Sequence, residues 1–230
     1  MSEDSRVTRR RFLTTGFGGM AGLLFSRIAS AVTPKSKCPE ETPEQTAGPF
    51  FPTRKRADED MDLTQVKGRS GRAAGEVIYV RGKVVDDSCR PVAGALIEIW
   101  QANQWGRYDH EGDAENPQPL DPNFQGWAKF VTAKDGTFSF KSIKPGSYPA
   151  DDSGWIRPPH IHFKIARKGY HELTTQMYFA GEPLNEPDQI RKALSPEERK
   201  SVTVEFGPAP KELGVGSRLG NFDIALRKVT

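Results

Sequence analysis

The sequence has little from which to build a helical or membrane-spanning protein. Its 230 residues show almost no extended 3.6-residue periodicity. The most apolar stretch, Gly16 to Phe25, is too short and too rich in glycine to cross a bilayer as a stable helix. Cysteine is scarce: Cys38 and Cys89 are the only two, so the chain can form at most one internal disulfide. A surplus of one charge is also missing. Residues 1–31 hold five arginines and two acids out of 33 basic and 30 acidic residues, which leaves 28 of each in the remainder. The clustered basic surface of a nucleic-acid binder is therefore absent, and no nucleic-acid partner is expected. There is no internal repeat and no low-complexity tract.

What is present begins with an address. Thr8-Arg9-Arg10-Arg11-Phe12-Leu13 carries a twin arginine followed by apolar residues, and Ala29-Ser30-Ala31 supplies a small-x-small cleavage pattern. Residues 1–31 are therefore expected to be a twin-arginine export signal, with the mature chain beginning near Val32 in the periplasm or outside the cell. No stable membrane insertion is expected after its removal. That route carries folded proteins, which suits a cofactor inserted before export. The oxidising compartment beyond permits Cys38 and Cys89 to pair, and geometry decides whether they do.

The mature chain divides by composition. Residues 32–75 read as an irregular N-terminal arm, with four prolines between Cys38 and Pro52, followed by a charged, glycine-containing segment expected to wrap the surface. From residue 76 to 230 strand signals recur: Val77 to Val85, Ala95 to Trp100, Trp127 to Thr132, Thr137 to Lys141, His160 to Ala166, Leu173 to Phe179, Val202 to Phe206 and Phe222 to Lys228. The first two look like a hairpin. Tight-turn chemistry at Lys134-Asp135-Gly136 and Lys144-Pro145-Gly146-Ser147 separates others. One helix start stands out, the capping box Ser195-Pro196-Glu197-Glu198. The pattern predicts an all-β protein, a two-sheet β-sandwich with long active-site loops. The longest irregular stretch, Gln101 to Gln125, contains Trp105, Tyr108, His110 and Phe124 and is expected to cover a site.

In Arg157-Pro158-Pro159-His160-Ile161-His162-Phe163-Lys164-Ile165 an extended strand puts His160 and His162 on one face and Ile161, Phe163 and Ile165 on the other. The pair fits either a metal site or two satisfied strand histidines. The wider constellation resembles the intradiol ring-cleaving dioxygenases, with the iron-bearing subunit of their two-subunit members as the nearest likeness. The resemblance runs through Val80-x-Gly82-x-Val84, Pro91-Val92-Ala93-Gly94-Ala95, Ile97-Glu98-Ile99-Trp100-Gln101-Ala102-Asn103, Gly106-Arg107-Tyr108, Pro119 to Phe124, Ile143 to Pro149 and Arg157 to Phe163.

The resemblance implies one Fe(III) per chain, held by Tyr108, Tyr148, His160 and His162. The donor chemistry agrees, since phenolate is a hard ligand that suits ferric iron, and such an ion lowers the phenol pKa well below its free value of about 10. It implies that Tyr148 is displaced by the incoming substrate, and that Arg157 stabilises negative charge developing on the ring. Gln176 would help to orient substrate and oxygen. Thr46 and Pro49 match an arm that closes over the substrate, contributed by the partner chain in the two-subunit enzymes. The implied partners are a small aromatic diol, protocatechuate or catechol-like, and O2, with a cis,cis-muconate-type diacid as product; the balanced mature charge does not oppose a homo-oligomer. Two positions depart from the pattern. The Tyr148 to His160 segment is one residue short and has Ala150-Asp151-Asp152 where relatives carry an aromatic. Cys89 occupies a turn position where the family commonly has glycine, which suggests a tie to Cys38. The competing reading is an exported transthyretin-like β-sandwich binding module with a degenerate or zinc-occupied site. A ferrous His-x-His oxygenase lacks its carboxylate.

Overall fold

The structure, a computed structural model, describes residues 38–53 and 60–229. The expected export signal at 1–31, the residues 32–37 and the stretch 54–59 lie outside the described residues. The described elements are β1 (Val77–Asp86), β2 (Leu96–Trp100), β3 (Trp127–Val131), β4 (Thr137–Ile143), β5 (Tyr148–Pro149), β6 (Ile156–Arg157), β7 (His160–Ala166), β8 (Leu173–Phe179), the short helices α1 (Gln189–Lys192) and α2 (Pro196–Ser201), then β9 (Thr203–Val204), β10 (Phe206–Pro208), β11 (Arg218–Asn221) and β12 (Ile224–Leu226).

Two sheets face each other. In the first, β4 runs antiparallel along β1 from Val77 to Lys83, while β11 and then β12 run parallel to successive stretches of β1, and β10 extends the sheet beyond β11. The second has the order β3-β2-β7-β8-β9, antiparallel except for the last pair. Alternation turns Ile78, Val80, Val84, Phe138 and Phe140 of the first sheet toward Ile97, Ile99, Ile161, Phe163, Ile165 and Met177 of the second, in one continuous core. The fold is the all-β sandwich that the strand pattern predicts. The β5–β6 pair stands apart from both sheets and carries Tyr148 and Arg157.

Several local expectations are corrected. Val77–Val85 and Ala95–Trp100 do not form a hairpin. The chain turns back only far enough for the Asp86 N–H to reach the Arg90 carbonyl and the Val92 N–H to reach that of Val84, both at 2.9 Å. β4 already occupies the edge of β1 from Val77 to Lys83, so β2 crosses to the facing sheet and lies between β3 and β7. The segment after the arm does more than wrap the surface: Leu63 is fully buried, and Leu63 N–H and Lys141 N–H bond the Lys141 and Met61 carbonyls. A single leucine in a charged stretch has no periodicity to announce it. The Val202 to Phe206 segment divides at Glu205, β9 pairing with β8 and β10 with β11. At α2 the capping box is complete, with Ser195 Oγ accepting the Glu198 N–H at 3.2 Å and Glu198 Oε2 accepting the Ser195 N–H at 2.7 Å.

Cys38, in the arm, is joined to Cys89 by a disulfide, with Cα atoms 5.3 Å apart. Among the described residues Cys89 is the only non-glycine with positive φ, +60°, a conformation in which a Cβ costs about 1–2 kcal/mol. The bond closes a loop of 51 residues, for which chain entropy gives about 4 kcal/mol. Urea unfolding with and without reductant should show a loss of up to that size. Without the bond, Cys38→Ala/Cys89→Gly should be about 1 kcal/mol more stable than Cys38→Ala/Cys89→Ala, because glycine takes this φ freely. The reverse order would contradict the strained turn.

Candidate metal centre

His160 and His162 stand on the face of β7 opposite Ile161, Phe163 and Ile165, which are fully buried in the core. Burying each of those three side chains contributes about 1.5–3 kcal/mol, so the imidazoles ride on a strand held from behind. β7 lies between β2 and β8, and the register places His162 between Trp100 and Gln176, and His160 beside Tyr178. The Trp100 indole stacks on the His162 ring, centroids 4.7 Å apart and planes 5° apart. His160 Nδ1 donates to the Pro158 carbonyl at 2.7 Å, which fixes its proton there and leaves Nε2 as a lone pair. The two Nε2 atoms are 3.1 Å apart.

Two tyrosines complete the cluster. Tyr148 brings its hydroxyl to 3.5 Å from His160 Nε2. Tyr108 comes from the loop between β2 and β3, and its ring meets that of Tyr148 edge-on with centroids 5.5 Å apart. Glycines let the two loops close on each other. A Cβ on Gly106, at φ +81°, would fall 2.1 Å from the Ser147 carbonyl oxygen, and one on Gly146 would fall 2.4 Å from that of Gln104. Side chains hold the loop: Asn103 Oδ1 accepts the N–H groups of Trp105 and Arg107, and Asp113 Oδ2 accepts the Tyr108 N–H at 2.7 Å. The loop also lines a cavity of about 570 Å³ that shares Phe50, Trp100, Tyr108 and Trp127 with the site.

The electrostatics favour ligation. Burial, reinforced by the nearby Arg157 charge, pushes both imidazoles well below the usual 6.5, so they are neutral and their nitrogens are available. Burial pushes the phenols up, Tyr108 well above 10 with the Tyr148 phenol adding to the rise, and Tyr148 less far because Arg157 opposes it. The Tyr108 hydroxyl is buried and, although the Tyr148 phenol is near it, makes no well-formed hydrogen bond, a state that costs about 1–3 kcal/mol unless something fills the gap. A cation among the four groups would do so. Metal–nitrogen bonds of about 2.1 Å meeting near a right angle put two nitrogens about 3 Å apart, close to the separation found. Among the described residues no three His, Cys, Asp or Glu side chains converge on a metal position. The converging set is two imidazoles and two phenols, which could hold a hard, oxygen-preferring ion such as ferric iron.

Beside the cluster, Arg157 is buried in a polar network. Its Nε donates to Asp188 Oδ2 at 2.8 Å and its Nη2 to Gln176 Oε1 at 2.5 Å. Gln176 Nε2 in turn donates to the Thr46 carbonyl at 2.9 Å. The arm is fastened here through Gln45, whose Nε2 donates to Thr175 Oγ1 and to the Gln176 carbonyl, while its Oε1 accepts the Tyr178 hydroxyl, all at 3.0 Å. Of the two arm residues expected at the site, Thr46 contributes its carbonyl and Pro49 is exposed. Phe50 is the arm residue that packs on Tyr108, centroids 4.7 Å apart, and a Cβ placed on Gly48 would come within 3.5 Å of the His162 ring. Gln176 is engaged with Arg157 and the arm. The missing aromatic after Tyr148-Pro149 has a counterpart: the Trp155 carbonyl accepts the Ala150 N–H across the β5–β6 turn, and the Trp155 ring lies under the Arg157 guanidinium at 5.5 Å. Sequence reasoning missed Phe50, Gln45 and Asp188. The one local signal for Asp188 is its place ahead of Gln189, where its Oδ1 caps α1.

Comparison with known proteins gives a consistent result. A family model described as Dioxygenase matches residues 46–227. The chain is 41% identical over 172 residues to the protocatechuate 3,4-dioxygenase beta chain of Burkholderia cepacia, covering 73% of this chain and 72% of that one. It is 29% identical over 181 residues to the catechol 1,2-dioxygenase of Candida albicans, covering 71% of this chain and 55% of that protein, so it spans about half of the length of that relative. Among solved structures, the dioxygenase domain of a dioxygenase–carbohydrate-binding protein fusion from Streptomyces sp. SirexAA-E superposes with a TM-score of 0.60 at 30% identity, over 83% of this chain and 100% of that one. 3-Chlorocatechol 1,2-dioxygenase from Rhodococcus opacus 1CP superposes with a TM-score of 0.64 at 25% identity, over 81% and 73% of the respective chains.

The neutral histidines make a stability prediction for metal-depleted protein. Each imidazole stays neutral in the fold but protonates near pH 6.5 once the chain unfolds, so below that pH the unfolded state binds more protons. Stability should be level above about pH 7.5 and fall as pH drops from 6.5 toward 5, by up to about 1.4 kcal/mol per pH unit for each group. Urea midpoints of chelator-treated protein measure this. A midpoint that is flat between pH 7 and 5 would rule out neutral burial.

Proposed function

Because the chain belongs to the intradiol dioxygenase family, we propose that it is a ferric-iron enzyme that cleaves a catechol-type ring, protocatechuate or a catechol-like diol, with O2 to a cis,cis-muconate-type diacid. The observation that carries this reading is the approach to His160 Nε2 of His162 Nε2 at 3.1 Å and of Tyr148 Oη at 3.5 Å, with the buried Tyr108 phenol packed against Tyr148. Iron bound to these four groups would supply a Lewis acid and an orienting template for the diol.

The protein groups have separable tasks. Tyr108, its loop fixed by Asp113 and Gly106, serves as a permanent anchor. Tyr148 sits on a two-residue strand outside both sheets, and burial favours its neutral form. Ionised while it holds the ion, it would take one of the diol protons at its Oη on giving way to the substrate, and burial favours the neutral phenol that results. Arg157, only 4% exposed, presents a fixed positive charge; with Nε and Nη2 engaged, no acceptor among the described residues meets Nη1. That free donor is placed to stabilise negative charge developing on the ring. Gln176 locks both the guanidinium and the arm. Phe50 packs over Tyr108, and the arm passes His162 at Gly48.

The test is oxygen uptake by purified, iron-loaded protein against protocatechuate, catechol and hydroxyquinol. The protein should be red-brown, with a broad visible phenolate-to-iron band that Tyr108→Phe shifts or weakens. No uptake with any of the three, or a colourless protein holding zinc, would overturn the reading. Arg157→Ala should keep iron and colour and lower turnover about 100- to 1,000-fold, or roughly 2.7–4 kcal/mol of transition-state stabilisation. His160→Ala and His162→Ala should lose iron and activity together. Turnover of Arg157→Ala within twofold of the unmodified protein would remove Arg157 from the mechanism.

A further inference from the structure

We propose that Asp188 is a positioning residue, holding the Arg157 guanidinium in the orientation that ring cleavage uses; this rests on the ferric dioxygenase reading above. Asp188 is fully buried and lies 31 residues along the chain from Arg157. Its two carboxylate oxygens are divided between two tasks. Oδ1 accepts the Arg191 N–H at 2.8 Å and so is tied to the first turn of α1, while Oδ2 accepts Arg157 Nε at 2.8 Å. The helix end thus fixes the carboxylate, and the carboxylate fixes Nε.

A guanidinium is a planar fork, so two contacts define its plane and the direction of its remaining donors. Asp188 supplies one contact. Gln176 Oε1, on Nη2 at 2.5 Å, supplies the other, and the Trp155 ring lies against the face at 5.5 Å. Nη1 is left pointing by default, with no acceptor among the described residues. Capping alone does not explain an aspartate at this position, since serine or asparagine caps a helix about as well. Stability alone does not explain it either, since a buried ion pair can often be replaced by apolar side chains without loss. What the carboxylate adds is a charged acceptor at one fixed point, matched to Nε.

The test uses Asp188→Ser, which keeps a capping hydroxyl but is too short to reach Nε, made in the unmodified protein and in Arg157→Leu. In the unmodified background Asp188→Ser should lower kcat about 10- to 100-fold, part of what loss of the charged donor itself costs. KM should change by less than about threefold, and iron content and the visible band should persist. In the Arg157→Leu background the same substitution should change kcat by less than about twofold, because the two residues act as one unit. An equal loss in both backgrounds, or no loss in the first, overturns the proposal. A crystal structure of Asp188→Ser should show the guanidinium moved away from Gln176 Oε1; a guanidinium that has not moved overturns the proposal whatever the kinetics. Should Asp188→Ser fail to fold, Asp188→Glu shifts the carboxylate by one methylene while keeping its charge, and the same kinetic and structural outcomes decide. If the unmodified iron-loaded protein cleaves no catechol, the functional reading falls, while the position of Arg157 in the variant still decides what Asp188 does.

Discussion

The alternation of one strand underlies the whole arrangement. β7 is central in its sheet, so neither edge is free to slip, and a shift of one residue would exchange the faces of every side chain on it. With Ile161, Phe163 and Ile165 committed to the core, His160 and His162 have only one direction left. Their separation is thereby set by backbone geometry instead of by contacts between the imidazoles. The flanking strands then supply the surroundings in register: Trp100 from β2 as a stacking platform, and Gln176 and Tyr178 from β8 as polar neighbours.

The remaining parts of the site follow from the need to satisfy buried polar groups. A guanidinium, two amides and a phenol lie within a few ångströms of a hydrophobic core, and each would be costly alone. They are satisfied mutually: Asp188 and Gln176 accept from Arg157, Gln45 accepts from Tyr178, and Gln176 and Gln45 donate into β8 and the arm. Because the arm enters this network through side-chain amides as well as backbone bonds to Thr174 and Ala225, its path past the histidines is specified at several points.

The features legible in the sequence were those written by local period or local chemistry. The sandwich strands, the outward-facing histidine pair and the capping box at Ser195 each depend on residues close together in the chain. Tyr108 lies on a loop and Tyr148 on a two-residue strand, neither long enough in period to read, and only resemblance to a family picked them out. Asp188 was invisible because its meaning lies in a partner 31 residues away. Phe50 was passed over because nothing marks which residue of an irregular arm will meet Tyr108. The misread hairpin has a related cause: adjacency in sequence suggested pairing, whereas the edge of β1 had already been taken by β4, whose sequence lies further on.

The arm that runs from Cys38 to Phe50 is covalently part of the chain whose donors it covers, and it is tethered at one end by the disulfide and along its length by Thr42, Gln45 and Thr46. Closing the site is therefore an intramolecular event. A cover tethered in this way is present at an effective concentration set by the length of the tether, on the order of millimolar for short links. Dilution, which separates a lid borrowed from a second polypeptide, leaves this one in place.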